Sequence, residues 1–132
     1  NGRTLTVFDL GRISLGERTR FAGTLRSRRW GVAVAGNSVR YRRRVRAFDR
    51  LTIRTQCIGW DARFFYMEQS MWKGDDCTSH QLIRSAATSA KGIVPPAEVV
   101  TAMGLRAESP ALPDWVAGWI AADALRPWPP MG

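Results

Sequence analysis

The sequence predicts an α+β domain in which one long helix packs against an antiparallel sheet. Residues 4–28 contain no proline and mix apolar residues with arginines, as expected of a helix covered on one side by a sheet. From residue 32 onward the apolar residues instead alternate with polar ones, which is the period of a β-strand. The breaks near residues 60–62 and 74–75 are short, so the strands on either side of them are expected to pair antiparallel.

The predicted central helix covers residues 1–28, and after its first turn it contains three glycines, Gly11, Gly16 and Gly23. Each glycine inside a helix costs about 1 kcal/mol relative to alanine, so their presence needs a packing reason. A sheet wrapped closely around the helix backbone provides one, because it leaves little room for side chains. The glycines therefore favour a helix at the centre of the domain.

The predicted sheet covers residues 30–91. Its strands are expected at residues 32–45, 51–60, 63–72 and 77–90, the first with a bulge near Gly36. Residues 73–76 read Lys-Gly-Asp-Asp, which is a hairpin signal, and the last three strands should therefore form a meander. The third strand is apolar on both faces, as expected when both faces are covered, and residues 91–96 end the sheet.

Two short helices are expected within residues 95–125. Pro96 stands where the first turn of a helix tolerates proline, and Gly104 is a suitable stop for that helix. Residues 114–125 form an amphipathic segment that ends before Pro127. At this length, residues 1–132 are expected to fold as a single domain around one core.

Composition and charge limit the function classes. Residues 1–60 carry a net charge of +11 and residues 61–132 a net charge of −2, so an anionic partner is expected to contact the first half. No apolar run approaches the roughly 20 residues that cross a bilayer, and the start lacks a signal peptide, which predicts a cytoplasmic protein without a membrane span. One histidine and two cysteines are too few for a metal site, and both cysteines are expected to be reduced.

Four stretches of the sequence match one protein family in order and spacing. They are residues 1–12 (NGRTLTVFDLGR), 39–43 (VRYRR), 48–55 (FDRLTIRT) and 58–69 (IGWDARFFYMEQ). These stretches resemble the segments NNGRYLxxxDLGR, IRYRR, FxRFELRT and LGWDxxxFYLEQ of thioesterase-like proteins related to 4-hydroxybenzoyl-CoA thioesterase. The proline pair at 95–96 and residues 112–115 are also similar to that family. The resemblance implies a hotdog fold, in which a long central helix is wrapped by an antiparallel sheet and followed by two short helices.

The resemblance also implies a function. It predicts an acyl-CoA thioester hydrolase that works as a homodimer or a dimer of dimers on acyl-CoA or acyl-carrier thioesters. Coenzyme A is then part of the substrate, and no other cofactor is expected. The family's N-terminal strand, with the Asp-containing loop that follows it, is expected to be missing from this chain, and Thr4 replaces the usual aromatic residue.

Two other functions stay open because fold alone does not fix function. One is a catalytically silent domain that binds acyl ligands or protein partners. The other is a nucleic-acid-binding protein, which the basic first half would suit. Nucleic acid is disfavoured because most aromatic residues fall at core positions and do not alternate with arginine along one surface, as stacking platforms would.

Three residues of the predicted helix are candidates for the chemistry. Asn1 and Gly2 match family positions beside the thioester, and a helix N-terminus there would donate hydrogen bonds to the developing oxyanion. Asp9 is the candidate catalytic acid, because burial would raise the pKa of its carboxyl toward a useful value. A structural ion pair between Asp9 and Arg12 is the alternative.

The densest run of positive charge provides candidate phosphate contacts. On a regular strand Arg40, Arg42 and Arg44 project from one face together with Arg46, and such a row would bind the phosphates of coenzyme A. A solvated edge of the sheet is the alternative.

Three further titratable residues are expected to be structural. Asp61 and Glu68 lie in the matched stretch 58–69, where a turn or an ion pair between strands is the expected role. His80 is expected to lie on the last strand without a catalytic role.

Overall fold

The computed structural model describes residues 15–131, with side chains from Arg20 onward. In chain order the elements are α1 (Leu15–Arg28), β1 (Gly31–Tyr41), β2 (Thr52–Trp60), β3 (Phe65–Lys73), β4 (Asp76–Ser89), β5 (Gly92–Val94), α2 (Pro96–Ala102) and α3 (Asp114–Ala124). The four predicted strands and the two C-terminal helices are present, although the first strand ends earlier than predicted. The sequence did not predict β5, since it indicated only the end of the sheet there.

The strands form one antiparallel sheet in the order β1-β4-β3-β2. The predicted meander of β2, β3 and β4 is confirmed, and Gly74, with φ +61°, provides the left-handed turn between the last two. β1 lies on the other side of β4, where Gly31 is opposite Thr88. β5 pairs with β4 on the same side as β3. It lies beyond Phe65, the first residue of β3.

β1 differs from its prediction at its end. The predicted bulge is present between Val34 and Gly36, but the strand stops at Tyr41 instead of continuing to residue 45. Tyr41 is opposite Ser79, and the backbone N–H groups of Arg42 and Arg43 both donate to the carbonyl oxygen of Thr78 (2.9 and 3.1 Å). β1 therefore leaves the sheet near the first residues of its partner strand β4.

The prediction of a single arginine face is wrong for this reason. Of the four arginines assigned to it, only Arg40 lies in β1, where it is opposite His80. Arg42, Arg44 and Arg46 lie in the exposed segment between β1 and β2.

The two faces of the sheet pack against different helices. On one face, here called the α3 face, Val116 of α3 packs against Tyr66 and Leu82, and all three are fully buried. On the opposite face, the α1 face, Phe21 of α1 packs edge-on against Phe65, with ring centroids 6.3 Å apart. Burying apolar side chains from both faces is the main source of stability for this arrangement.

Gly59 leaves room for the chain segment that leads into α3 to pass close to β2. Its φ of +154° and its neighbours leave no space for a side chain, since an added Cβ would lie 2.7 Å from both Ser109 Oγ and Leu112 Cδ2. The segment between α2 and α3 is therefore able to cross directly over the end of β2. There the backbone N–H of Trp60 donates to Ser109 Oγ (2.8 Å), and its indole N–H donates to the carbonyl of Ala107 (2.9 Å).

The two cysteines lie far apart along the sheet, as the predicted strand pairing requires. Cys57 is opposite Met67, Met67 is opposite Ile83, and Cys77 lies six residues from Ile83 along β4. This offset corresponds to about 20 Å at 3.3 Å per residue, whereas a disulfide needs Cα atoms within about 7 Å. The two residues are therefore not bonded to each other.

Candidate functional site

The candidates from the sequence are divided between two parts of the chain. Asn1, Gly2 and Asp9 lie outside the described residues. Arg40 stands near the end of β1, and Arg42 and Arg44 follow it at exposed positions. Arg12, the alternative partner of Asp9, also lies outside the described range.

Polar side chains form a buried row across the α1 face of the sheet. Thr55 on β2 is opposite Gln69 on β3, which is opposite Gln81 on β4. Ser79 lies two residues before Gln81 and therefore shares its face. The four residues are only 8%, 6%, 4% and 2% exposed, in the order Thr55, Gln69, Gln81, Ser79. We call these four residues the polar row.

Among the side chains of residues 20–131, three atoms of the polar row have no hydrogen-bond partner: Thr55 Oγ1, Gln69 Oε1 and Ser79 Oγ. A buried polar group without a partner costs about 1 to 3 kcal/mol, and such groups are rare in native proteins. Two of the atoms are hydroxyl oxygens that donate and accept, and the third is an amide oxygen that only accepts. The α1 face therefore offers both donors and an acceptor to a polar ligand group.

Two residues of the polar row stand at positions of the sequence where an apolar residue is expected. Gln69 stands between Met67 and Met71 in the apolar register of β3, and Thr55 follows Ile53 in that of β2. A polar residue in the buried register of a strand is an exception that calls for a partner or a function. Gln69 and Thr55 also end two of the matched stretches.

Asp61 organises a polar network at the edge of the α3 face. Its Oδ1 accepts the backbone N–H groups of Arg63 (2.9 Å) and Phe64 (2.8 Å), and its Oδ2 accepts the Tyr66 hydroxyl (2.6 Å). Burial alone would raise the pKa of Asp61, but these hydrogen bonds and the charge of Arg84 outweigh it and lower the pKa. Burial and the hydrogen bond to Asp61 raise the pKa of Tyr66 to about 12. An ionised Asp61 and a neutral Tyr66 are therefore a structural pair in a turn, as expected for Asp61.

Arg84 connects this network to α3. Its Nη1 lies 2.9 Å from Asp123 Oδ2, its Nε donates to the Tyr66 hydroxyl (3.2 Å), and its guanidinium stacks over the rings of Phe64 and Trp119 (4.9 and 4.7 Å). A cleft of about 380 Å³ opens beside it, lined by Asp61, Ala62, Arg63, Phe64, Arg84, Ile120, Asp123 and Ala124. Because hydrogen bonds and stacking contacts already occupy Arg84, its role is to join the sheet to the helix.

Glu68 and His80 are in hydrogen-bond contact on the α3 face. Glu68 Oε1 lies 2.7 Å from His80 Nε2, and its other oxygen accepts the amide N–H of Gln56 (3.3 Å). The His80 ring contacts Trp115 of α3 edge-on, with centroids 5.4 Å apart. Glu68 therefore joins two neighbouring strands through its contacts with Gln56 and His80. It lies on the face of the sheet opposite the polar row, so the two groups cannot act on one ligand atom.

Within residues 15–131 no group of three or more potential ligand residues is arranged to hold a metal ion. In the same range no helix is long and apolar enough to span a bilayer.

Comparison with known proteins identifies the family. A family model described as the thioesterase-like superfamily matches residues 1–120. The chain belongs to this superfamily. Protein THEM6 of Xenopus laevis is 32% identical to it over 122 residues, which cover 91% of this chain and 58% of THEM6. The thioesterase-like chain thus spans little more than half the length of this curated relative.

Solved structures show the same fold at low sequence identity. DHNA-CoA thioesterase from Staphylococcus aureus has a TM-score of 0.60 and 11% identity, covering 95% of this chain and 78% of its own. A thioesterase from Thermus thermophilus, complexed with coenzyme A and Zn, has a TM-score of 0.59 and 17% identity, covering 96% and 82%. The predicted α+β hotdog fold of this thioesterase-like chain is confirmed.

Proposed function

We propose that this thioesterase-like chain hydrolyses acyl thioesters of coenzyme A or of an acyl carrier, and that the ligand contacts the α1 face of the sheet. Membership of the superfamily supports the reaction class. The observation that carries the position is the set of three buried polar atoms, on Thr55, Gln69 and Ser79, that have no partner within the described part of the chain. The pantetheine arm that ends in the thioester contains amide N–H groups and carbonyl oxygens, which complement an amide acceptor and two hydroxyl donors.

The proposed reaction needs a base and donors near the carbonyl oxygen. Asn1 and Gly2 would donate to the oxygen as charge develops on it, and Asp9 would activate the attacking water. In the same proposal the polar row holds the arm of the ligand and so aligns the carbonyl carbon with that water. Coenzyme A enters only as part of the substrate, and no other cofactor is needed.

Arg40, Arg42 and Arg44 are the proposed contacts for the phosphates of coenzyme A. They do not share a strand face: Arg40 is opposite His80 on the edge strand β1, and Arg42 and Arg44 follow in the exposed segment after it, so a phosphate would have to reach them at this edge of the sheet. An arginine that makes a charge-assisted hydrogen bond to phosphate contributes about 1.5 to 3 kcal/mol.

We propose a homodimer, or a dimer of dimers, formed through β1. This strand is at an edge of the sheet, and Val32 and Val34 on it are 49% and 64% exposed. A second copy pairing along β1 would satisfy its backbone groups and cover both valines. We also propose residues 1–132 as one domain located in the cytoplasm, where two cysteines too distant to bond to each other suit a reducing compartment.

The test is the release of thiol from a panel of acyl-CoAs, measured with a colorimetric thiol reagent. Gln69→Met keeps the size of the side chain but removes the acceptor, and we expect kcat/KM to fall about tenfold for the best substrate, as for one lost hydrogen bond. Gln56→Met on the α3 face is the matched control and should leave kcat/KM unchanged.

Three other outcomes would change the proposal. If the chain binds acyl-CoA in a calorimeter but releases no thiol, it is a silent acyl-binding domain. If it ignores every acyl-CoA, the hydrolase proposal fails. If Gln56→Met and Gln69→Met reduce the rate equally, the α1 face is not the ligand surface.

A further inference from the structure

A tight turn after β1 presents one aromatic side chain entirely to solvent. The turn comprises residues 46–50 (Arg-Ala-Phe-Asp-Arg) and is here called the Phe48 turn. It is closed by hydrogen bonds in both directions, from the N–H of Asp49 to the carbonyl of Arg46 (3.3 Å) and from the N–H of Arg46 to Asp49 Oδ2 (2.7 Å). At its tip Phe48 is 101% exposed. The side chain is therefore held outward by an ordered turn.

The backbone at Phe48 is in a conformation that suits another residue. Its φ is +71°, the left-handed region that a type II turn requires at its third position and that glycine or asparagine normally fills. A bulky residue there is an outlier and carries strain. Since Phe48 is fully exposed, packing within the chain does not offset this strain. The presence of phenylalanine at this position points to a contact outside the chain.

The charges around the tip are positive. Arg46 and Arg50 flank Phe48 at two residues on either side and are exposed. The one acid in the turn, Asp49, is already paired with Lys73 (3.1 Å), and its pKa is lowered by the hydrogen bond from Arg46 and by Lys73. Among residues 20–131, no ion pair involves Arg46 or Arg50. The tip therefore combines one apolar group with two unpaired cations.

Two ion pairs attach the turn and the residues before it to one end of the sheet. Lys73, which contacts Asp49, is the last residue of β3, and the preceding Arg43 pairs with Asp76 at the start of β4 (3.2 Å). The turn is therefore fixed to the β3–β4 hairpin and protrudes from it as a convex point. A convex tip is suited to insertion into a deformable surface, and it cannot enclose a small ligand.

We propose that the Phe48 turn docks on an anionic lipid bilayer, with Phe48 inserted at the headgroup level and Arg46 and Arg50 in contact with the anionic headgroups. Aromatic side chains flanked by arginine are favoured at this depth of a bilayer, and the cytoplasmic leaflet is negatively charged. A nucleic acid is a poorer fit, because single strands are bound by several aromatic platforms along a groove, whereas the turn offers one ring on a convex tip. This docking goes beyond the proposed hydrolysis and does not depend on it.

The test compares vesicle binding by the 132-residue chain and by Phe48→Gly. Glycine suits the left-handed backbone, so the variant should fold at least as well as the parent. The chain should sediment with phosphatidylcholine vesicles containing about 30% phosphatidylserine, and far less with pure phosphatidylcholine. Phe48→Gly should weaken the partition coefficient about ten- to hundredfold, as expected for the loss of one buried aromatic ring. Leu125→Ala is the control, because Leu125 is 84% exposed elsewhere, and it should bind like the parent.

The charge contribution is tested separately. Arg46→Gln combined with Arg50→Gln should weaken binding to the anionic vesicles about thirtyfold at low salt, since each arginine near the surface contributes comparably. Lys91→Gln combined with Arg106→Gln removes the same charge at exposed positions and should have a much smaller effect. Hydrolysis of a short-chain acyl-CoA without vesicles should be equal in the parent and Phe48→Gly.

Several results would overturn the docking proposal. The parent chain failing to bind anionic vesicles would do so, as would equal binding by Phe48→Gly and Leu125→Ala. If Phe48→Gly instead lowered the affinity for a single-stranded oligonucleotide in fluorescence anisotropy, the turn would belong to a nucleic-acid surface. If Phe48→Gly changed the molecular mass measured by light scattering, Phe48 would instead be covered by a second copy of the chain.

Discussion

Replacing Thr55 with valine should stabilise the ligand-free protein, although it removes a polar group from a β-strand. Thr55 is 8% exposed and its Oγ1 has no hydrogen-bond partner among the residues that the structure describes, so the folded state carries the cost of removing that hydroxyl from water. Valine has the same shape and lacks the hydroxyl. We expect the free energy of unfolding to rise by about 1 kcal/mol and by no more than 3 kcal/mol. Urea denaturation is a suitable assay, and with a slope of about 1 to 3 kcal/mol per molar a gain of about 1 kcal/mol should raise the midpoint by roughly 0.3 to 1 M.

The matched control is Thr78→Val. Thr78 is 2% exposed, and its hydroxyl donates to the carbonyl of Met71 (3.1 Å), so the same substitution leaves a buried carbonyl with one bond fewer. This variant should lose about 1 to 2 kcal/mol. If Thr55→Val lowered the urea midpoint as much as Thr78→Val, the hydroxyl of Thr55 would have a partner in the folded protein. The polar row would then not be reserved for a ligand.

Two further predictions concern Gly59 and Asp61. Gly59→Ala should lower the free energy of unfolding by about 1 to 3 kcal/mol, because its Cβ would lie 2.7 Å from Ser109 and Leu112; a melting temperature equal to that of the parent would contradict the crossing over β2. The folded-state pKa of Asp61 is below its ordinary value, so Asp61 stabilises the protein above the ordinary pKa, and this contribution is lost as pH falls through the folded pKa. Asp61→Asn should therefore be less stable than the parent at pH 7 and closer to it at pH 2 to 3 in urea titrations, and a constant difference would refute the assignment.

The meander was predictable because its signals are local. Alternation marks each strand, and Lys-Gly-Asp-Asp marks the hairpin in which Gly74 has a positive φ. The end of β1 was not predictable in this way, since alternating arginines continue the strand pattern beyond Tyr41. The strand ends where the chain meets the carbonyl of Thr78 and the start of β4, which is a tertiary event.

The same distinction applies to the candidate site. Gln69 was visible as a polar residue in an apolar register, but its position beside Thr55 and Gln81 depends on the pairing of three strands. A contact between strands was expected at Glu68, whereas His80 as its partner follows from the register of β3 against β4. The sequence thus shows which residues are unusual for their position, and strand pairing determines which of them meet.

The strand order has a consequence for how the chain folds. β2, β3 and β4 follow one another through short turns, so their contacts form between residues close in sequence. β1 instead pairs with β4, which lies far along the chain, since Gly31 is opposite Thr88. The two strands can pair only after the chain between them has formed a closed loop. Contacts between distant residues slow folding, and the last element added is commonly the first to open. Amide hydrogens along β1 should therefore exchange with solvent sooner than those in the middle of β3, unless another polypeptide holds that edge.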